Sequence, residues 1–356
     1  MTDKYRIDSH KLMYHIPRVN DWLNGKEIYP IYVEVGPAGA CNHRCVFCAL
    51  DFMGYQNRFL DTERLKSVFS EMGRLGVKSV MLGGEGEPLL HKNCGDIINH
   101  AKKCGIDTAV TTNGVLLRKS LAEQILPDTK WIKVSVNAGT KETYAKIHRT
   151  SATDFDKVIE NLKFADRVRR QNGYTCTLGM QLLLIPENHQ EVGELASIAR
   201  DIGMDYVVVK PYSQHRSSTT QQYRNIQYSE YFQLDEELAA YNTDDFQVVY
   251  RLNTMKKWDE GVRGYERCLA LPFWSYMDAG GNIWGCSAYL GDDRFLYGNI
   301  YEQSFEEIWQ GPKRQISLDW VQTCHDVSQC RLNCRMDEIN KYLWEIKHPA
   351  AHVNFV

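Results

Sequence analysis

Between residues 31 and 210 the chain alternates short apolar runs with longer stretches whose apolar residues recur every three or four positions. Runs of the first kind read as strands, and stretches of the second kind as helices with one buried face. Ile31 to Val35 (IYVEV) is the first predicted strand. Asp61 to Leu75 follows as a helix, opened by the capping signal Asp-Thr-Glu-Arg. Val77 to Leu82 reads as a strand, Asn93 to Lys103 as a helix, and Thr108 to Thr112 as a strand closed by the Asn113-Gly114 turn. Leu116 to Ile125 is helical, Trp131 to Val136 a strand, and Asp154 to Arg169 a long helix. Thr175 to Ile185 is a strand, Asn188 to Ile202 a helix, and Tyr206 to Lys210 the sixth strand.

Strands that alternate with helices of this length form βαβ units on a parallel sheet. The fold class expected is therefore α/β, a partial (β/α)6 TIM-like barrel. Beyond it the pattern loosens. Tyr212 to Tyr223 is polar, suited to a linker or a substrate-facing loop, and Pro272 to Trp284 alternates aromatics around Gly280-Gly281, a hairpin signal. Ser304 to Trp309 reads as a short helix. The division expected is an N-terminal extension (1–30), the barrel (31–230), a linker (231–261), a small second domain (262–340) and a tail (341–356). On open parallel sheets, active sites gather at the C-terminal ends of the strands. Gly83 to Glu87, Asn113, Ser135 to Asn137 and Lys210 to Gln214 all fall there.

Composition narrows the class. The 356 residues are 43% hydrophobic and 24% charged, as in an ordinary globular protein, and the net charge of −3 argues against a nucleic-acid partner. The polar start, MTDKYRIDSHK, does not read as a signal peptide, and no apolar run is long enough to span a membrane. Eleven cysteines without a secretion signal point to a reducing compartment, so the expectation is a cytoplasmic protein whose clustered thiols serve metal or redox chemistry.

Three of those thiols lie within eight residues, CNHRCVFC, at Cys41, Cys45 and Cys48, at the end of the first strand. Polar Asn42, His43 and Arg44 between them make poor core, and zinc would require a fourth ligand that the loop does not offer. A [4Fe–4S] cluster held by three thiolates keeps one iron open, which is what binding a small molecule requires. The stretch resembles the CxxxCxxC signature of the radical S-adenosylmethionine (SAM) enzymes. The resemblance implies a [4Fe–4S] cluster on Cys41, Cys45 and Cys48, with SAM on the open iron and Phe47 near its adenine. Gly83-Gly84-Glu85 resembles that family's GGE motif, assigning Gly84 and Glu85 to the SAM amino group. Ser135 and Asn137, two apart at a strand end, resemble its Ser-x-Asp pair, with Asn137 in place of the usual acid. Arg149 matches a position often near the SAM carboxylate, where a solvated helix end is the equal alternative, and Gln181 matches a weaker adenine- and ribose-binding motif.

A second thiol set follows at Cys268, Cys286, Cys324, Cys330 and Cys334. It resembles the SPASM or twitch auxiliary-cluster domain, supported by Gly298-Asn299-Ile300 and Glu307-Ile308-Trp309. The full pattern uses more cysteines than the five of this set, so one auxiliary [4Fe–4S] cluster is expected, on Cys268, Cys286, Cys330 and Cys334, with zinc as the alternative. Cys324 is then left over as an alternate ligand, a buried thiol, or a catalytic hydrogen-atom donor. His215 and Arg216 lie at the barrel mouth as candidates for substrate contact.

The resemblance implies reductive cleavage of SAM and hydrogen abstraction by a 5′-deoxyadenosyl radical, with an external one-electron reductant such as flavodoxin or ferredoxin. Only 40 residues precede Cys41, which leaves no room for the recognition module of many peptide-modifying members. The expectation is a small polar substrate (a sugar, aminocyclitol or nucleoside) that is oxidised or epimerised. A peptide or protein maturase is the runner-up, and a non-catalytic metal-binding protein the reading from another class.

Overall fold

The computed structural model describes residues 4–355. Six parallel strands form the frame: β1 (Tyr32–Val35), β2 (Ser79–Leu82), β3 (Asp107–Thr112), β4 (Thr129–Ser135), β5 (Thr177–Leu184) and β6 (Tyr206–Pro211). They pair in chain order, each parallel to the next, as the alternation predicts.

The sheet then runs further at both ends. β7 (Gln247–Tyr250) adds in parallel to β6, and β8 (Trp274–Met277) adds in parallel to the free side of β1. β9 (Asn282–Trp284) and β10 (Leu296–Asn299) continue antiparallel from β8, giving the order β10-β9-β8-β1-β2-β3-β4-β5-β6-β7. The stretch read as a linker, 231–261, thus carries helix Leu234–Ala239, strand β7 and helix Leu252–Glu260. The expected hairpin is present, and it is continuous with the barrel sheet rather than separate from it. Helices Ile16–Leu23, Lys141–His148, Pro312–Thr323 and Asp337–Lys347 were not evident from the pattern.

Helix Thr62–Arg74 shows why the pattern was legible. The Asp61 carboxylate accepts from the Arg64 N–H at 2.8 Å and caps it, and Leu65, Val68, Phe69 and Met72 form its buried stripe. Each such side chain contributes about 1.5–3 kcal/mol by leaving water. Strand residues alternate as the pleat requires. Val33, Val35, Ile132, Val134, Met180, Leu182, Val207 and Val209 are fully buried in the main core. Their neighbours Glu34, Lys133, Ser135, Gln181 and Lys210 occupy the opposite face, which lines the lumen. The lower end of that lumen is plugged by Tyr5 and Ile7, packed on Tyr206, Val208 and Val249. Among the described residues no helix is long and apolar enough to cross a membrane.

Candidate active site

The cysteine loop begins where β1 ends and is held from two sides. From the helix Lys141–His148, the Ile147 and His148 carbonyls accept the Val46 and Arg44 N–H groups at 2.8 and 3.1 Å. From the strand ends, the Asn113 amide donates to Asn42 at 2.8 Å. Gly86 packs so closely beneath the loop that a Cβ there would lie 2.4 Å from the Ala38 carbonyl oxygen and 2.3 Å from that of Ala40.

Cys41, Cys45 and Cys48 are partly buried free thiols close enough to influence one another's ionisation. Burial raises all three, Cys41 to about 11, so a metal bound by them as thiolates would displace their protons. His148, buried, points Nδ1 at the Cys45 sulfur at 3.2 Å and Nε2 at the Val136 carbonyl at 2.9 Å. No motif singles it out, yet with His43 it stands against the loop's central thiol. Phe47 is buried edge-on against it at 5.4 Å between ring centroids.

The remaining motif residues divide into two groups. Gly84 has φ +98°, and a Cβ on it would meet Gly36 Cα and the Tyr276 hydroxyl at 2.7 Å, so the turn requires glycine. The Glu85 carboxylate beside it is buried and committed within the protein. It accepts from the Tyr276 hydroxyl at 2.8 Å and the Ala279 N–H at 2.9 Å, with the Arg58 guanidinium at 3.3 Å. Asn137 lies past the end of β4 with φ +60° and is fully buried, so it does not share the strand face of Ser135. Its side-chain oxygen accepts the Leu183 N–H at 2.8 Å. Arg149 also has a positive φ, at the C-terminal end of its helix, and is exposed.

Ser135 and Gln181 face the lumen side by side, the Gln181 amide donating to the Ser135 hydroxyl at 3.3 Å. Gln181 is 5% exposed and its oxygen has no partner among the described residues. An orphaned acceptor in a polar recess is what a ligand with a hydroxyl or amine would satisfy.

The second thiol set is gathered in the C-terminal part. Cys268, Cys286, Cys330 and Cys334 pack on one apolar cluster. Burial, with neighbouring thiols adding to it, raises the pKa of Cys268, Cys286 and Cys330, Cys268 to about 12. Each sulfur faces a potential donor: Asn340 Nδ2 at 3.6 Å from Cys268, Ala288 N–H at 3.4 Å from Cys286, His325 Nε2 at 3.2 Å from Cys330, and Met336 N–H at 3.4 Å from Cys334. Four partly buried soft ligands, each facing a donor, suit an iron–sulfur cluster. Cys324 differs. It is exposed at the end of helix Pro312–Thr323, with the Thr323 hydroxyl 3.3 Å from its sulfur.

The segment carrying Cys330 and Cys334 also closes over the barrel. Arg335 pairs with Glu34 of β1 and donates to the Tyr32 hydroxyl, and the Asn333 amide donates to the Tyr212 carbonyl after β6 at 2.5 Å. His215, stacked on Phe52 at 4.5 Å, faces the Ser287 carbonyl at 3.2 Å. The Asp51 carboxylate accepts from the Thr219 N–H, the Thr219 hydroxyl and the Thr220 N–H at 2.6–2.9 Å. The polar 212–223 stretch is thus a clamp joining the cysteine loop to the C-terminal part.

Comparison with known proteins places these regions. Residues 35–199 match the radical SAM superfamily, and residues 268–335 match an iron–sulfur cluster-binding SPASM domain. The chain is 28% identical over 189 residues to a GTP 3′,8-cyclase of Chlorobaculum tepidum, covering 52% of this chain and 55% of that protein. It is 30% identical over 168 residues to a probable GTP 3′,8-cyclase of Saccharolobus islandicus, covering 47% and 52%. It therefore spans about half the length of these curated relatives. In fold it resembles Streptococcus suis SuiB bound to S-adenosylmethionine, with a TM-score of 0.65, 20% identity, and coverage of 85% of this chain and 70% of SuiB. It also resembles anSMEcpe with bound AdoMet, with a TM-score of 0.61, 16% identity, and coverage of 89% and 95%.

Proposed function

We infer, from a chain that belongs to the radical SAM superfamily and carries a C-terminal SPASM domain, that it oxidises a small polar substrate held in the barrel lumen. Its cofactors are S-adenosylmethionine, a [4Fe–4S] cluster and auxiliary iron–sulfur ligation. Bound together, the first two supply the 5′-deoxyadenosyl radical on which the reaction runs, once an external reductant has delivered an electron.

The protein's own residues divide the remaining work. Cys41, Cys45 and Cys48 would hold the first cluster, with Gly84 allowing the tight turn beside it, Ser135 offering a hydrogen bond at its strand end and Gln181 facing the substrate. Cys268, Cys286, Cys330 and Cys334 would hold the auxiliary cluster, which would supply one-electron redox chemistry. That chemistry fits oxidation. Epimerisation requires a hydrogen donor facing the substrate, and the exposed Cys324 thiol is poorly placed to be one inside a lumen that excludes water. For Glu85 and Asn137 we assign a positioning role through the protein contacts described above.

One observation carries the reading. The segment between Cys330 and Arg335 reaches the lumen face, with Arg335 on Glu34 and the Asn333 amide on the Tyr212 carbonyl, so the chain between two thiols of the second set stands beside lumen residues at the strand ends. The partial likeness to GTP cyclases supports a nucleoside-like substrate within the small polar class. The test is an anaerobic assay of the reconstituted protein against sugars, aminocyclitols, nucleosides and nucleotides, following 5′-deoxyadenosine. Deuterium transfer from a labelled small substrate into that product is expected. Transfer from peptides alone would overturn the reading in favour of a maturase, and zinc in place of iron with no SAM cleavage would overturn catalysis itself.

A further inference from the structure

Five cations converge on the lumen: Lys133 on β4, Lys210 on β6, Arg251 just after β7, and Arg331 and Arg335 from the segment closing the mouth. Two have partners. Arg335 pairs with Glu34, and Arg251 with Asp8 at 3.0 Å. Among the described residues, Lys133, Lys210 and Arg331 have no carboxylate within ion-pair distance, and the Arg331 Nε has no hydrogen-bond partner.

Positive charge gathered in this way is costly. Removing one ammonium from water is unfavourable, and like charges in a medium of low dielectric repel strongly. The lysines register that cost. Burial, with Arg335 and Arg251 adding to it, pushes Lys133 down to about 8. Burial and then Lys133 itself hold Lys210 well below the usual lysine range. Nothing in the fold requires these charges, because the outward strand residues supply the packing. An arrangement that weakens the empty fold is explained by an occupant that removes the repulsion.

We propose that the substrate carries an anionic group, phosphoryl or carboxyl, which Lys133, Lys210 and Arg331 hold in the lumen while Gln181 meets a neighbouring hydroxyl or amine. The proposal rests on the lumen being the substrate site, as argued above, and sharpens that reading from polar to anionic. The single carboxylate of SAM answers at most one of the three cations, and Lys133 lies two residues below Ser135, deeper than the strand ends. Arg331 adds a consequence. The anion would bridge the barrel to the segment between two auxiliary thiols, completing the wall of the site as it binds.

Calorimetry on the cluster-reconstituted protein, saturated with SAM, tests this with inorganic pyrophosphate and malonate as probes. At least one probe should bind, and the preferred one identifies the group as phosphoryl or carboxyl. Lys133→Gln, Lys210→Gln and Arg331→Gln should each weaken that binding tenfold or more while SAM affinity stays within twofold. The lysine variants should also melt higher than the parent without ligand, a gain that lysines needed for structure would not give. Binding of neither probe would overturn the proposal. So would parallel loss of SAM affinity in the lysine variants, which would assign these groups to the SAM carboxylate. Failure of the broader reading looks different: 5′-deoxyadenosine production would respond only to peptides, whatever the probes do.

Discussion

Replacing Tyr276 by Phe separates two readings of Glu85. The GGE resemblance assigns that residue to SAM, whereas the structure spends its carboxylate on β8 and the turn that follows. Tyr276 is fully buried and donates to Glu85 at 2.8 Å, the Ala279 N–H donates at 2.9 Å, and only the more exposed Arg58 supplies a countercharge, at 3.3 Å. A hydrogen bond to a charged group contributes about 1.5–3 kcal/mol. Deleting one of three donors around a carboxylate cut off from water should cost that amount, since no solvent reaches in to replace it. With a denaturant slope near 3 kcal/mol per molar, a loss of about 2 kcal/mol lowers the urea midpoint by about 0.7 M. Anaerobic urea unfolding, followed by tryptophan fluorescence, reads the midpoint, and equilibrium dialysis with labelled SAM reads the affinity. The expected result is a lower midpoint with SAM affinity held within about threefold. An unchanged midpoint together with a tenfold loss of SAM affinity would refute the structural assignment and place the carboxylate on the cofactor.

Four further outcomes are expected. Replacing Cys268, Cys286, Cys330 or Cys334 with Ser should lower bound iron from about eight to about four per chain, whereas Cys324→Ala should leave it unchanged, measured by anaerobic iron and sulfide analysis. Glu87, buried and raised to about 7 by that burial, binds its proton more tightly folded than unfolded. Stability from this group is therefore greatest below the ordinary carboxylate range and falls as pH rises toward 7, and Glu87→Gln should flatten the slope of urea midpoint against pH. If an anion binds beside Lys133, which faces Arg335, Arg251, Lys210 and Glu34, it should raise that lysine's lowered proton affinity. Calorimetry near pH 8.5 in buffers of different ionisation heat should then report net proton uptake that Lys133→Gln diminishes, and zero uptake would count against the contact. Asp51→Ala should speed proteolytic cleavage within 212–223, since it removes three hydrogen bonds that pin that clamp.

The first six strands and the cysteine loop were legible because each depends on local pattern: a pleat period, a cap at Asp61, three thiols in eight residues. β7 was not, because four residues flanked by polar stretches carry little signal. Nor was the pairing of β8 with β1, a contact between distant segments that leaves no local trace. The thiols of the second set were recognisable by spacing, but only packing separates the partly buried Cys330 and Cys334 from exposed Cys324. Glu85 shows a subtler limit, since a motif can predict a turn correctly while the side chain serves another partner. Lys133 and Lys210 could have been flagged from sequence. Lys133 sits between fully buried Ile132 and Val134 and Lys210 follows fully buried Val209, an unusual place for a cation without a carboxylate partner.

The parallel pairing of β1 with β8 has a consequence for how the chain is made. Tyr32 meets Trp274, a partner roughly 240 residues later. One side of β1 therefore stays without its partner while most of the protein is synthesised, and its backbone N–H and C=O groups stand ready to pair with another chain. The SPASM region is accordingly not a module that can be trimmed away. A truncation before residue 274 would strip β1 of a neighbour and leave Glu85 without Tyr276 and Ala279, so it should yield aggregates rather than a free-standing barrel. Assembly of the first cysteine loop on a settled scaffold would likewise wait for the far end of the chain to arrive.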